Sequence, residues 1–129
     1  MKIAVVLIVG MVTASTGGFA AEPNLVGTWT GQRERIAKVE GYTKGELTLI
    51  VTEQNGRTFS GHLSRTYPAS ADIDEDLWGA FTPDGNLIVG ADLEGTYAFS
   101  LVEANTLDYC YTEAGPTVRA VCARLIRQP

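Results

Sequence analysis

The chain has 129 residues, with 10 Lys and Arg against 15 Asp and Glu and a formal net charge of −5 at pH 7. That length gives one domain and no room for a second catalytic one. The acidic balance argues against nucleic acid or an anionic lipid surface as the main partner. With 45% hydrophobic and only 19% charged residues, the chain is not a disordered acidic segment either.

The N-terminus reads as a removable leader. Lys2 supplies a positive start, residues 3–12 are apolar apart from Gly10, and Gly18-Phe19-Ala20 places small residues at the −3 and −1 positions of a cleavage site. The sequence therefore predicts a signal peptide over 1–20 and one mature domain over 21–129, with a net charge of −6 once Lys2 is removed. The apolar run is about half of the roughly 20 residues that a spanning helix needs. The expected location is the bacterial periplasm or the exterior, with no membrane insertion of the mature chain. In such a compartment the two cysteines, Cys110 and Cys122, are expected to form a disulfide. A zinc site is the rival reading, but His62 is the sole histidine and the spacing fits no zinc motif.

Beyond the leader no 3.6-residue apolar period stands out. β-Branched and aromatic runs alternate with Gly, Asn, Asp and Pro punctuation, which predicts short strands. The first strand is expected over 25–36, followed by a connection through 39–45. The second, 46–53, alternates Leu47, Leu49 and Val51 against Thr48, Ile50 and Thr52. Asn55-Gly56 signals a type I′ hairpin turn into the third strand, 57–67. One long loop is expected over 68–76. The fourth strand, 77–82, turns at Pro83-Asp84-Gly85 into the fifth, 86–92. The sixth, 96–102, follows Glu94-Gly95; the seventh is 106–113; the eighth, 117–127, follows Ala114-Gly115-Pro116. Eight consecutive strands with short links predict an all-β, antiparallel up-and-down meander barrel, because closure removes the two exposed sheet edges. The interior of an eight-stranded barrel is either filled by side chains or holds one small ligand.

The last hairpin allows a register to be predicted. If Cys110 faces Cys122, then Glu113 faces Arg119 and Asp108 faces Arg124, two opposite-charge cross-strand pairs. Leu107, Tyr109, Tyr111, Val121, Ala123 and Leu125 then share the inner face, and the disulfide lies outside. Charged residues on the outer face of the last hairpin and the shortness of the fourth and fifth strands argue against an outer-membrane barrel, whose strands need ~9–11 residues and an apolar band.

Gly27-Thr28-Trp29 at the start of the first strand resembles the calycin superfamily, the lipocalins and avidins. That resemblance implies a Trp across the closed end of the barrel beneath a basic residue from the last strand, for which Arg124 and Arg127 are the candidates. It does not imply biotin, since Trp29 and Trp78 are the only tryptophans and the avidin ligand box needs several. The leader, the size and the single cysteine pair also resemble bacterial periplasmic metalloprotease inhibitors. Their inhibitory segment is a free N-terminal tail, which here would be residues 21–24.

Candidate sites follow from the strand pattern. The lumen candidates are Trp29, Phe81, Ile88, Tyr97, Phe99, Tyr109 and Tyr111. Gly79 and Gly90 on the same face leave either a pocket for a small apolar molecule or the bend that a tight barrel needs. Asp72, Asp74 and Asp76 have the alternate spacing of a calcium loop, but Leu77 and Pro83 stand where an EF-hand needs Gly and Glu. They read first as a solvated acidic loop. His62 has no spacing-defined triad partner, and no phosphate loop occurs. Trp78 and Tyr67 suggest a protein-contact patch. The expectation is a non-enzymatic binder without cofactor, whose partner is a small apolar molecule in the lumen or a protein at the rim. A periplasmic protease inhibitor and a small hydrolase are the alternatives.

Overall fold

The computed structural model describes residues 22–67 and 70–129; the side chains of 66, 67 and 70–73 are outside this description, as are the expected leader and Ala21. Eight strands follow in chain order: β1 (Gly27–Ala37), β2 (Gly41–Asn55), β3 (Thr58–Tyr67), β4 (Ser70–Phe81), β5 (Ile88–Ala91), β6 (Thr96–Glu103), β7 (Thr106–Glu113) and β8 (Arg119–Arg127). Each pairs antiparallel with its neighbour, and β8 pairs back onto β1, so the meander closes into a barrel. Closure satisfies both edge strands, as the sequence predicts.

The register of the last hairpin is the expected one. Cys110 is opposite Cys122 and joined to it, Asp108 is opposite Arg124, and Glu113 is opposite Arg119. Leu107, Tyr109, Tyr111, Val121 and Leu125 are buried, with Ala123 partly so. One detail differs. Side chains alternate faces along a strand, so Glu113 and Arg119 belong to the inward set with Tyr111 and Val121. Their ion pair closes the rim of the barrel (2.8 Å), while the Asp108–Arg124 pair lies outside.

Three local expectations are corrected. The expected connection through 39–45 is mostly strand: β2 already starts at Gly41, because Tyr42, Thr43 and Lys44 pair with Ile36, Arg35 and Glu34. The expected acidic loop over 68–76 is largely the first half of β4, with Asp74 opposite Ser64 and Asp76 opposite His62. The alternation that resembles a calcium loop is thus the period-2 alternation of a strand. The 55–58 turn holds Gly56 and Arg57 at its centre, since Asn55 pairs with Thr58. Positive φ occurs at Gly56 (59°) and not at Arg57, which is the requirement of a II′ rather than a I′ turn. With this shift and a bulge between Val51 and Glu53, His62 stands opposite Ile50.

The core is continuous from one end of the lumen to past its middle. Leu25, Trp29, Val51 and Phe59 lie towards the end where β1 starts; Leu47, Leu49, Leu63, Leu77, Phe99 and Tyr109 continue it. The Trp29 indole N–H donates to the Leu25 carbonyl (2.9 Å). The Arg127 guanidinium stacks 4.3 Å from the Trp29 ring and donates to the carbonyls of Val26 and Asn24. Arg127, not Arg124, is therefore the basic residue over the tryptophan.

The candidate site at the arginine-lined end of the barrel

The inward-facing side chains change character along the barrel. From Trp29 the β1 inward positions run Gly31, Arg33, Arg35 and Ala37, and the two arginines are 0% and 4% exposed. Arg65 on β3, also inward, is 3% exposed. Cross-strand rows place them. Phe99, Tyr109, Ala123, Arg33 and Gly45 form one row over five strands, and Tyr97, Tyr111, Val121, Arg35 and Thr43 form the next. The small side chains of Ala123 and Gly45 flank Arg33. The far end of the lumen is therefore built from guanidinium groups and phenols.

The hydrogen bonds and ion pairs are specific. Arg33 and Arg35 both donate to Thr43 Oγ1, at 3.3 and 3.2 Å. Arg65 pairs with Glu75 of β4 and stands over the Tyr111 ring at 5.6 Å. All three arginines make further interactions besides these. Tyr97 donates from Oη to Asp92 Oδ2 (2.6 Å), and Asp92 Oδ1 accepts from the backbone N–H groups of Glu94 and Gly95. This side-chain acceptor fixes the β5–β6 turn beside the site.

These contacts set the protonation states. Burial raises the pKa of Glu75 above the usual carboxylate value; Arg65 opposes the rise, and a hydrogen bond shared with Asp92 adds to it. Burial also pushes Asp92 up, but hydrogen bonds from Tyr97, Glu94 and Gly95 outweigh it and leave the carboxyl below its usual value. Glu113 is raised by burial and by a hydrogen bond with Glu94, against the pull of Arg119. Burial raises the phenols of Tyr97, Tyr109 and Tyr111, so all three stay neutral donors in the physiological range.

The lumen candidates divide into two groups. Phe81, Ile88, Phe99 and Trp29 are 0–4% exposed and belong to the packed core. The space that Gly79 leaves is taken by the Phe59 ring, into which a Cβ at position 79 would run; Gly90 faces Phe99 and Tyr97. Tyr97, Tyr109 and Tyr111 are brought together with ring centroids 4.8–5.6 Å apart and reach the arginine end. Asp74 and Asp76 are exposed on β4, and no group of three metal-ligating side chains gathers among the described residues. The Asp72 side chain is outside the description. His62 is half-buried, with Nδ1 3.7 Å from Asp74 Oδ1. Trp78 is 54% exposed. Of the expected inhibitory tail, Pro23 and Asn24 are tied to the barrel, their carbonyls accepting from Gln54 (2.9 Å) and Arg127 (2.6 Å).

Arg33, Arg35 and Arg65 have no place among the sequence-level site candidates. The signal available was the spacing from Trp29: if the tryptophan faces inward, every second residue after it does so too.

No protein-family model matches the chain, and no curated protein matches it significantly. Solved structures do. An S-type phycobiliprotein lyase from Guillardia theta aligns with a TM-score of 0.59 at 6% identity, over 81% of this chain and 89% of that one. A protein of unknown function of the DUF3598 family from Nostoc punctiforme aligns at 0.58 with 15% identity, over 88% of this chain and 53% of that one, so the present chain spans about half of it. A redesigned β-barrel aligns at 0.57 with 12% identity, over 81% and 92% of the two chains. At these identities the likeness is one of fold, and the fold is the calycin-like, lipocalin-type eight-stranded barrel.

Proposed function

We propose that the protein is a non-enzymatic binder that takes one small, mainly apolar molecule at the arginine-lined end of its barrel, after export to the periplasm or the exterior. The observation that supports this reading is the change of lining from a packed apolar core to buried guanidinium groups and phenols. A barrel filled only for stability gains nothing from burying arginines, since charge is costly to desolvate and an apolar replacement of similar volume is often neutral or stabilising. Buried polar groups are the informative departure from an ordinary core. The phycobiliprotein lyase shares the fold alone, and no step of a lyase reaction is carried over.

A protein partner at the same end is the second reading. Ile36, Val39 and Tyr42 are 58–70% exposed around the β1–β2 turn, with Val118 of the β7–β8 loop beside them. Apolar side chains gathered at one rim are what a protein contact uses.

Native mass spectrometry of the purified protein tests the first reading. A bound species at one equivalent, released on unfolding and replaceable by an added apolar molecule such as decanol or decanoate, is expected. A protein that carries nothing and takes up neither refutes small-molecule binding.

A further inference from the structure

We infer that the free edge of β4 at 74–77 takes up an extended, basic peptide as an added antiparallel strand. β4 has 12 residues and β5 only 4, and the two pair only over 78–81. Before Trp78, β4 pairs with β3, and among the described residues no strand lies on its other side. The direction of its backbone groups follows from the hydrogen bonds at its far end. The Phe81 N–H donates to the Arg57 carbonyl on the β3 side, and the Thr82 N–H to the Leu87 carbonyl on the β5 side. These groups alternate sides along an antiparallel strand, and the β3–β4 register runs without a shift from Ala80 to Ile73. Asp74 and Asp76 therefore turn their N–H and C=O groups away from β3, towards the edge that β5 does not reach. Such an edge is a template for another strand, and addition of an extended peptide to it is a recurring mode of recognition.

Space and charge at the edge select the peptide. The Asp92 N–H donates to the Gly95 carbonyl within the β5–β6 turn (3.1 Å), so the turn does not continue the ladder with β4. Between them lies a cleft of about 260 Å³, whose lining includes Asp74, Asp76 and Trp78 of β4 and Asp92, Leu93 and Glu94 of the turn. Among the described residues no basic side chain lines it; His62 reaches Asp74 from the β3 side, away from the edge. Burial raises the Glu75 carboxyl beside the cleft, and the charges of Asp92 and Glu94 raise it further. Asp74, Asp76 and Trp78 share the outer face and are all exposed. In an added strand, the residues directly opposite the two aspartates stand against carboxylates. Lysine or arginine at those places makes opposite-charge cross-strand pairs, and one more reaches the Trp78 ring as a cation–π contact. A second copy of this edge sets aspartate against aspartate and is repelled, so the partner is a different, basic chain.

Titration with capped heptapeptides, followed by tryptophan fluorescence and amide hydrogen exchange, tests the inference. The probe alternates lysine with valine. Its companions replace lysine by glutamate, or carry methyl groups on the backbone nitrogens of the lysines or of the valines. The lysine peptide is expected to bind at one equivalent, at least tenfold more tightly than the glutamate peptide, and to slow exchange of the Asp74 and Asp76 amides. Methylated lysine nitrogens, which face β4, should cost at least tenfold, and methylated valine nitrogens less than twofold. Trp78→Phe should abolish the fluorescence change, since Trp29 is buried. Asp74→Asn with Asp76→Asn changes only exposed side chains and should lose at least fivefold in affinity. Equal losses in the two methylated peptides, or unslowed exchange at Asp74 and Asp76, reduce the binding to charge adsorption and overturn strand addition. Equal affinity for the lysine and glutamate peptides overturns the charge assignment. No binding of the lysine peptide overturns the whole inference, and none of these outcomes bears on the small-molecule reading.

Discussion

Gly31→Ala probes the seam that closes the barrel. Gly31 lies on β1 between residues that pair with β8, Thr30 with Ile126 and Arg33 with Ala123. A Cβ at position 31 would run into the Arg124 carbonyl oxygen and lie 3.0 Å from both its carbonyl carbon and Leu125 Cδ2. Ordinary C···O approach is about 3.3–3.6 Å, and backbone cannot swing aside as a side-chain end does. β1 and β8 must therefore part. Overpacking of this kind costs roughly 1–3 kcal/mol, and weakening one flanking ladder bond adds about 0.5–1.5 kcal/mol. The sum, roughly 2–4 kcal/mol, corresponds to about 8–16 °C or more in melting temperature for a domain of this size. Gly90→Ala is the control, because its Cβ would meet Trp78 O at 3.0 Å and otherwise ring and side-chain atoms at 3.3–3.4 Å. Thermal unfolding followed by far-UV circular dichroism should rank wild type above Gly90→Ala and Gly90→Ala above Gly31→Ala. A Gly31→Ala protein that melts with the wild type would refute a closed β1–β8 seam at this point.

Replacing Cys110 and Cys122 together by Ala removes a cross-strand link that closes a short loop, and should destabilise the protein by roughly 3 kcal/mol in the chain-entropy model; unchanged urea midpoints in the oxidised wild type and the double variant would contradict a structural disulfide. Glu75 supplies a pH test. Its folded pKa is raised by burial above the ordinary value of 4.5, so the folded state holds the proton more tightly than the unfolded chain. That stabilisation is full below 4.5 and is lost as pH rises through the folded value. Glu75→Gln should therefore gain on the wild type between pH 4.5 and 7 in urea titrations, and a stability difference that stays constant or moves the other way contradicts the burial of this carboxyl. Glu113 is shifted in the same sense but is present in both proteins and cancels in the comparison.

Much of the fold is legible because a few residues pin it. The cysteine pair fixes one register, and two charge pairs at the implied distances confirm it; inner and outer faces of β7 and β8 then follow from the pleat alone. The Gly-rich turns after β4, β5 and β7 locate the short strands. β4 is less legible because repeated Asp residues disfavour strands on their own, and only pairing with Ser64 and His62 across the β3–β4 hairpin holds Asp74 and Asp76 extended. Gly41 and Gly45 likewise read as a turn until β1 is seen to run on to Ala37 opposite Gly41. The arginine end is the least legible part. Arg33 and Arg35 alternate with Gln32, Glu34 and Ile36, and ordinary burial preference puts Ile36 inside and the arginines outside. The structure has the reverse, with Ile36 58% exposed. Phase along β1 is dictated by Trp29, which is anchored to Leu25 and Arg127, and the strand carries that phase without a bulge to Ala37. Local composition holds no record of that long-range anchor.

The most direct measurement is an NMR titration of the protein with decanol, read at the aromatic ring signals. Tyr97, Tyr109 and Tyr111 stand together towards the arginine-lined end, while Trp29 and Phe81 belong to the packed core. The account predicts saturable shifts of the three tyrosine rings at one equivalent, with the Trp29 and Phe81 signals unmoved. No shift at the tyrosines, or shifts confined to Trp29 and Phe81, would contradict it.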